Sequence, residues 1–126
     1  MPRQLVTIPG KQPPAWFSPA VAYGSVVWVA GQVAMRADGS VPDDITEQVH
    51  VAIDNVEQAL EAAGAGLDTL ISVQVFLSDM ADFAAYNAVY LERIGLHGLP
   101  ARATVQAGLA EGFRVEITAV AHLTEA

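Results

Sequence analysis

Short runs of apolar residues along the chain predict a set of β-strands. Residues 25–33 are rich in β-branched and aromatic side chains. Residues 70–77 alternate apolar with polar positions, so their odd-numbered side chains, from Ile71 to Leu77, should share one face. Weaker patterns of the same kind predict strands at residues 4–8, 103–106 and 115–123.

Two segments instead have the three- and four-residue spacing of amphipathic helices. In residues 44–63 the apolar positions form one stripe, Asp44 can cap the first turn with Glu47 three residues on, and Gly64 can end the helix. A second helix is predicted to open at Asp79, and its packing face comprises Phe83, Tyr86, Tyr90, Leu91 and Ile94.

The order of these elements predicts an α+β fold in one domain spanning residues 1–126. Two helices cannot cover both faces of a sheet with this many strands. We therefore expect a mixed sheet with both helices on one face. The other face is then left open, and subunits can meet there.

Composition supports the expectation of subunit contacts. Apolar residues make up 52% of the chain and charged residues only 16%. That balance gives more apolar surface than a chain of 126 residues can bury when it folds alone. We therefore expect a homo-oligomer.

Charge and residue usage argue against several classes of function. A net charge of −8 with scattered basic residues disfavours nucleic acid and anionic membranes as partners. Cysteine is absent, and the histidines have no partner at ligand spacing, so no metal site is expected. No apolar run approaches a membrane span, and the first residues lack the apolar core of a signal peptide. These features predict a cytoplasmic protein.

Arg102 is the principal candidate for a binding residue. It follows Pro100-Ala101 and can be either a solvated surface charge or an anion hook, because a guanidinium fork holds a carboxylate by two parallel hydrogen bonds. Glu116, fourteen residues on, can be solvated, paired, or able to move protons through a water. That spacing fits adjacent antiparallel strands joined by a loop, which would bring the two side chains together.

At these residues the sequence resembles the Rid family of reactive intermediate deaminases, also called the YjgF family. The similarity runs over nearly the whole chain in the family's order. The matching segments are Val29-Ala30-Gly31-Gln32, Asp54-Asn55-Val56, Leu60-Glu61-Ala62-Ala63-Gly64, Val75 through Met80, Asp82-Phe83 through Tyr86-Asn87, Pro100-Ala101-Arg102-Ala103-Thr104-Val105 and Val115-Glu116-Ile117.

The resemblance implies a chorismate-mutase-like α+β fold. It also implies a homotrimer with the sheets packed inward and the sites in clefts between subunits. The implied activity is hydrolysis of 2-enamino and 2-imino acids such as 2-aminoacrylate to 2-keto acids and ammonia, without a metal or organic cofactor. In this reading Arg102 holds the substrate carboxylate and Glu116 positions the attacking water. The backbone of Gly31 and the side chain of Asn87 line the pocket.

Three pocket positions depart from the common deaminase pattern. Phe17 stands where a tyrosine is usual, Ala30 where serine is frequent and Thr104 where cysteine is common. The usual Gly-Pro before that tyrosine is replaced by Ala15-Trp16. With fewer hydroxyls, the pocket should prefer a more apolar imino acid or turn over 2-aminoacrylate slowly.

Two functions of different classes follow. The first is hydrolytic deamination of reactive 2-imino and 2-enamino acids. The alternative is a non-catalytic trimeric binder of small carboxylate metabolites with a regulatory role, and a structural trimer with a vestigial cleft is a third reading. The altered residues Phe17, Ala30 and Thr104 motivate the binder, and the presence of both Arg102 and Glu116 counts against the vestigial cleft.

Overall fold

A mixed sheet and two helices make up residues 2–124, which are the residues that the computed structural model describes. The strands are β1 (Gln4–Val6), β2 (Ala20–Tyr23), β3 (Val26–Val33), β4 (Leu70–Leu77), β5 (Ala101–Gln106) and β6 (Val115–His122). The helices are α1 (Ile45–Ala63) and α2 (Phe83–Arg93). Within this part of the chain, no helix is both long enough and apolar enough to cross a membrane.

The strand order is β1-β2-β3-β6-β4-β5, and β4 and β5 are the parallel pair. Parallel neighbours need a crossover connection, and α2 supplies it between β4 and β5. The prediction that Arg102 and Glu116 lie on adjacent antiparallel strands is therefore wrong. Arg102 is on β5 and Glu116 is on β6, with β4 between them.

Local signals determine α1. The Asp44 side chain accepts a hydrogen bond from the backbone N–H of Glu47 at 3.1 Å, which satisfies a donor that the first turn leaves free. Gly64 ends the helix in the left-handed region, with φ of 88°. The predicted apolar stripe is buried, and it packs α1 onto β3 and β6.

The second helix starts later than predicted. Asp79 caps a short 3₁₀ turn, Met80–Asp82, and α2 begins at Phe83. Within the predicted packing face, Leu91 is the exception, because it is 48% exposed. Tyr86 and Tyr90 are buried as expected.

Two features of the sheet were not predicted from the sequence. The strand β2 follows a proline-rich segment and forms a hairpin with β3 through Gly24, whose φ is 60°. In β4 the pairing with β6 shifts between Leu70 and Ser72, so Ile71 leaves the face of its odd-numbered neighbours and becomes exposed.

The sheet has one covered face and one open face. Beneath the helices the strands contribute buried side chains, including Val27, Val73 and Ile117. The opposite face carries a row of paired residues, Leu5, Val21, Trp28 and Val120, that are exposed or half-buried. Both helices thus lie on one face, as predicted, and in residues 2–124 no helix covers the apolar row on the other face.

Candidate active site in two halves

Arg102 lies on the edge strand β5 and points toward the helices. Its ladder partner, Val73, is buried beneath the helix layer, and paired residues share a face. From α2, the Asn87 side-chain oxygen accepts a hydrogen bond from Arg102 Nη1 at 2.7 Å. The guanidinium is therefore held in one direction although the side chain is exposed.

Three aromatic rings of α2 surround the Arg102 guanidinium. Its central carbon lies 4.5 Å from the centroid of the Tyr90 ring, 5.6 Å from that of Tyr86 and 5.7 Å from that of Phe83. A cation over aromatic faces is attracted by the ring electrons and is more weakly hydrated than a free one. Sequence analysis had assigned these rings to core packing alone.

Thr104 supports this aromatic group instead of presenting a free hydroxyl. Its Oγ1 lies 3.0 Å from the Tyr86 hydroxyl. Burial raises the pKa of Tyr86, against the opposing effects of the Thr104 hydrogen bond and the Arg102 charge. Burial likewise raises the pKa of Tyr90, again opposed by Arg102. Both rings therefore stay neutral beside the arginine at physiological pH.

A cavity of about 260 Å³ opens beside Arg102. We call it the arginine cavity; it is lined by Asn87, Tyr90, Leu91, Leu99, Pro100 and Arg102. It places one cation among mostly apolar walls. This arrangement suits a small molecule with one anionic end, because apolar walls strengthen the ionic contact.

Glu116 lies on the opposite, open face of the sheet. Its ladder partner on β4 is Phe76, and its neighbours Val115 and Ile117 point into the core. The Glu116 carboxylate lies against Gly31 so closely that a Cβ added there would overlap it and stand 2.9 Å from Cδ. With the carboxylate in this position, only glycine fits at residue 31.

A β-bulge shapes the strand beside Glu116. The pairing of β3 with β6 shifts between Val29 and Gln32, which leaves Ala30 and Gly31 outside the regular ladder. The backbone N–H of Ala30 donates to Pro19 O at 2.9 Å, so the bulge is tied to the end of the proline-rich loop. The bulge and the close approach of Glu116 explain why a glycine lies inside β3.

Phe17 belongs to the same half of the site. It is 54% exposed and shares a cavity of about 510 Å³ with Gly31. We call this second space the loop cavity, because residues 8–19 form much of its wall. Phe17 brings no hydroxyl to it.

The predicted site residues thus fall into two groups. Arg102, Asn87 and Thr104 meet on the helix side of the sheet edge. The second group is Glu116 with Gly31, Ala30 and Phe17, on the open face and in the loop beside it. Within one chain the sheet separates the two groups.

A buried polar network, which the sequence did not reveal, supports both halves. Gln48 is 1% exposed; its amide donates to Pro42 O and Gly112 O and accepts from the backbone N–H of Arg114, each at 2.8 Å. Arg114 in turn donates to both carboxylate oxygens of Asp82, at 2.8 and 3.2 Å. The network joins the start of β6, just before Glu116, to the start of α2.

The remaining titratable clusters form ordinary surface contacts. His50 accepts a hydrogen bond of 3.1 Å from Arg93, which also donates to Asp54 at 2.6 Å. Between residues 2 and 124, no group of three His, Asp or Glu side chains is placed to hold a metal ion.

Comparisons with known proteins place this geometry in context. The family model described as endoribonuclease L-PSP matches residues 10–123. The 2-iminobutanoate/2-iminopropanoate deaminase of Escherichia coli K12 is 34% identical over 122 residues, which cover 91% of this chain and 95% of that protein. Protein mmf2, a mitochondrial protein of Schizosaccharomyces pombe, is 38% identical over 109 residues, covering 83% and 86%.

Solved structures agree in fold. The crystal structure of yeast Mmf1 superimposes with a TM-score of 0.90 at 28% identity, covering 98% of this chain and 100% of that one. Escherichia coli TdcF with bound serine superimposes with a TM-score of 0.85 at 30% identity, covering 96% and 99%.

Proposed function

Since the chain belongs to the Rid (YjgF) family, we propose that it hydrolyses reactive 2-imino and 2-enamino acids, such as 2-aminoacrylate, to 2-keto acids and ammonia. Deaminase names among the relatives support enzyme activity at the level of the family. The substrate and the residues that act on it are proposed from the site itself.

The observation that carries the proposal is the setting of Arg102. Among residues 2–124 no carboxylate lies within salt-bridge distance of it, yet Asn87 and the three rings fix its direction. A guanidinium held toward a cavity is arranged to accept a planar carboxylate. The serine bound in TdcF also carries a carboxylate.

Glu116 is proposed to handle the protons. A water that donates to its carboxylate can attack the C=N carbon, and Glu116 then passes a proton to the nitrogen. The tetrahedral intermediate collapses with loss of ammonia and leaves the keto acid. An enamine first tautomerises to the imine. Holding water and imine together supplies much of the rate enhancement.

Such a site needs a second copy of the chain. Arg102 and Glu116 lie on opposite faces of the sheet, so one chain cannot present both to one substrate. We propose a homotrimer in which the edge strand β5 of one protomer meets the open face of the next. The apolar row on that face supports this arrangement, because exposed apolar patches mark subunit interfaces.

A non-catalytic carboxylate binder is the second candidate. Phe17 and Ala30 offer no hydroxyl to a substrate, and the Thr104 hydroxyl is already engaged with Tyr86. A site with a fixed arginine and few polar groups can retain a ligand without activating water. The experiment below separates binding from turnover.

The test generates 2-iminopropanoate, 2-iminobutanoate and a bulkier imine with an amino-acid oxidase and follows imine decay with and without the protein. We expect acceleration by the protein, and a loss of at least about 30-fold in Arg102→Ala, because losing a paired ionic contact costs roughly 2–5 kcal/mol. The matched control is Arg3→Ala, because Arg3 is exposed and lies outside both cavities. Binding of the keto acids without any acceleration of imine decay would establish the binder instead.

A complementation experiment tests the shared site. Arg102→Ala and Glu116→Gln are each expected to be inactive. In each trimer containing both variants, about one third of the sites should recover activity, because there an intact arginine faces an intact glutamate across a subunit contact. No recovery in verified mixed trimers would show that the two residues do not share a site between subunits.

The remaining features of the proposal concern partners and location. The net charge of −8 opposes binding to a phosphate backbone, although the family model is described as an endoribonuclease. We propose neither nucleic acid nor membrane as a partner. We propose a cytoplasmic location, supported by the absence of cysteine.

A further inference from the structure

The loop cavity carries a charge that the proposed reaction does not use. Two of the six basic residues of the chain, Lys11 and Arg36, line it. No aspartate or glutamate is among its lining residues, although the chain has fourteen acidic residues against those six. The residues that line this cavity therefore carry two positive charges and no negative charge, in a protein whose net charge is −8.

Neither cation is neutralised by an ion pair in residues 2–124. Arg93 and Arg114 form the salt bridges of that part of the chain, with Asp54, Glu57 and Asp82. Arg36 donates a hydrogen bond of 3.3 Å to the Ser40 hydroxyl. Asp38 is near enough for Arg36 to help lower its pKa, but its carboxylate chiefly accepts hydrogen bonds from Ser40.

Gly31 connects this cavity to the reacting centre. It lines the loop cavity, and it also lies against the Glu116 carboxylate. A substrate whose C=N carbon is near Glu116 can therefore extend its side chain past Gly31 into the loop cavity. The walls there are apolar near Phe17 and Met35 and cationic at Lys11 and Arg36.

We propose that this protein selects 2-imino acids whose side chain ends in a second carboxylate. The proposal rests on the deaminase function and names its substrate class. Arg102 takes the carboxylate beside the imine, and Lys11 and Arg36 take the distal one. This substrate class differs from the apolar imino acid that the missing hydroxyls of Phe17 and Ala30 predicted, and the experiment below distinguishes the two.

The test compares imines of equal chain length. L-glutamate oxidase converts glutamate into a dicarboxylic imine, and an L-amino-acid oxidase converts norvaline into a neutral imine with the same five-carbon chain. Residual imine is trapped with semicarbazide. We expect the dicarboxylic imine to have a kcat/KM about tenfold higher, because partly exposed charge pairs contribute modestly.

Variants identify the source of that preference. Lys11→Gln and Arg36→Gln should each reduce it, and the double variant should abolish it by lowering kcat/KM for the dicarboxylic imine to that for the neutral imine. Arg3→Gln removes the same charge from an exposed position outside the cavity and should change neither rate. Equal rates for the two imines in the wild type, or a double variant that keeps the preference, would overturn the inference.

A binding measurement separates this inference from the function on which it rests. Titration calorimetry compares 2-oxoglutarate with 2-oxopentanoate, the two keto-acid products. Hydrolysis of both imines without a binding or kinetic preference would refute the dicarboxylate site and leave the deaminase function standing. If no imine is hydrolysed, the deaminase function fails. The binding measurement then decides the question of the cavity by itself: we expect about tenfold tighter binding of 2-oxoglutarate than of 2-oxopentanoate, and loss of that difference in the double variant.

Discussion

Replacing Gly31 by alanine should inactivate the protein without unfolding it. The added Cβ would overlap the Glu116 carboxylate and lie 2.9 Å from Cδ and 3.2 Å from Cγ. Carbon atoms pack best about 3.5–4.0 Å apart, so the carboxylate must withdraw by roughly 1 Å. A displacement of that size at a catalytic group lowers the rate by about 100-fold, or about 2.7 kcal/mol of transition-state stabilisation.

The same substitution should leave stability nearly unchanged. Gly31 is not among the glycines with positive φ, so alanine is not strained there, and the carboxylate that must move is the end of a flexible side chain. We expect the free energy of unfolding to change by less than about 1 kcal/mol. Thermal unfolding by circular dichroism measures this beside kcat/KM for imine hydrolysis.

Two further variants sharpen the experiment on Gly31. Gly108→Ala is the control, because a Cβ at that position meets nothing within 4 Å. In a Glu116→Gln background, Gly31→Ala should cost little more, since both changes act on one carboxylate. A folded Gly31→Ala protein with wild-type kcat/KM would refute the reasoning, and so would a loss of activity that arises from unfolding.

The remaining predictions concern stability. Asp82→Asn should lower the free energy of unfolding by about 1–3 kcal/mol, because its nearly buried carboxylate accepts two bonds from Arg114. Asp54→Asn, which breaks the exposed pair with Arg93, should lower the free energy of unfolding by less than about 1 kcal/mol, with both variants measured by urea titration. Equal losses in Asp82→Asn and Asp54→Asn would contradict the argument from burial. Burial raises the pKa of Tyr86 above its ordinary value, so the stability that it contributes is complete below about pH 10 and is lost as pH rises further. Tyr86→Phe should therefore weaken the fall in Tm at alkaline pH, whereas Tyr23→Phe, at an exposed position, is the control and should not. An unchanged fall in Tyr86→Phe would show that Tyr86 does not cause it.

Local chemistry made α1 predictable from sequence. The Asp44 cap and the Gly64 terminus depend on a few neighbouring residues, and both are found where the sequence placed them. Features that depend on pairing between strands were not predictable in this way. The bulge at Ile71 arises from register with β6, and register is set by the whole sheet.

The wrong prediction that Arg102 and Glu116 lie on adjacent strands shows how an error in strand pairing changes the expected site. Fourteen residues between two strands fit a hairpin, but the sequence held a second signal. The segment from β4 through α2 to β5 has the strand–helix–strand order that favours parallel pairing. Burial in the structure agrees with this order: β6 alternates four buried residues, as a central strand does, whereas β5 has none.

The lack of buried residues in β5 agrees with its position at the edge of the sheet. This edge position matters for the proposed chemistry. A central strand carrying Arg102 would be enclosed by its own sheet. On the edge strand the arginine remains accessible from outside while α2 fixes its direction. Glu116, on a central strand, is instead accessible only through the open face. The two groups can therefore meet only where one copy's edge approaches another copy's face, which makes assembly a condition of the proposed catalysis.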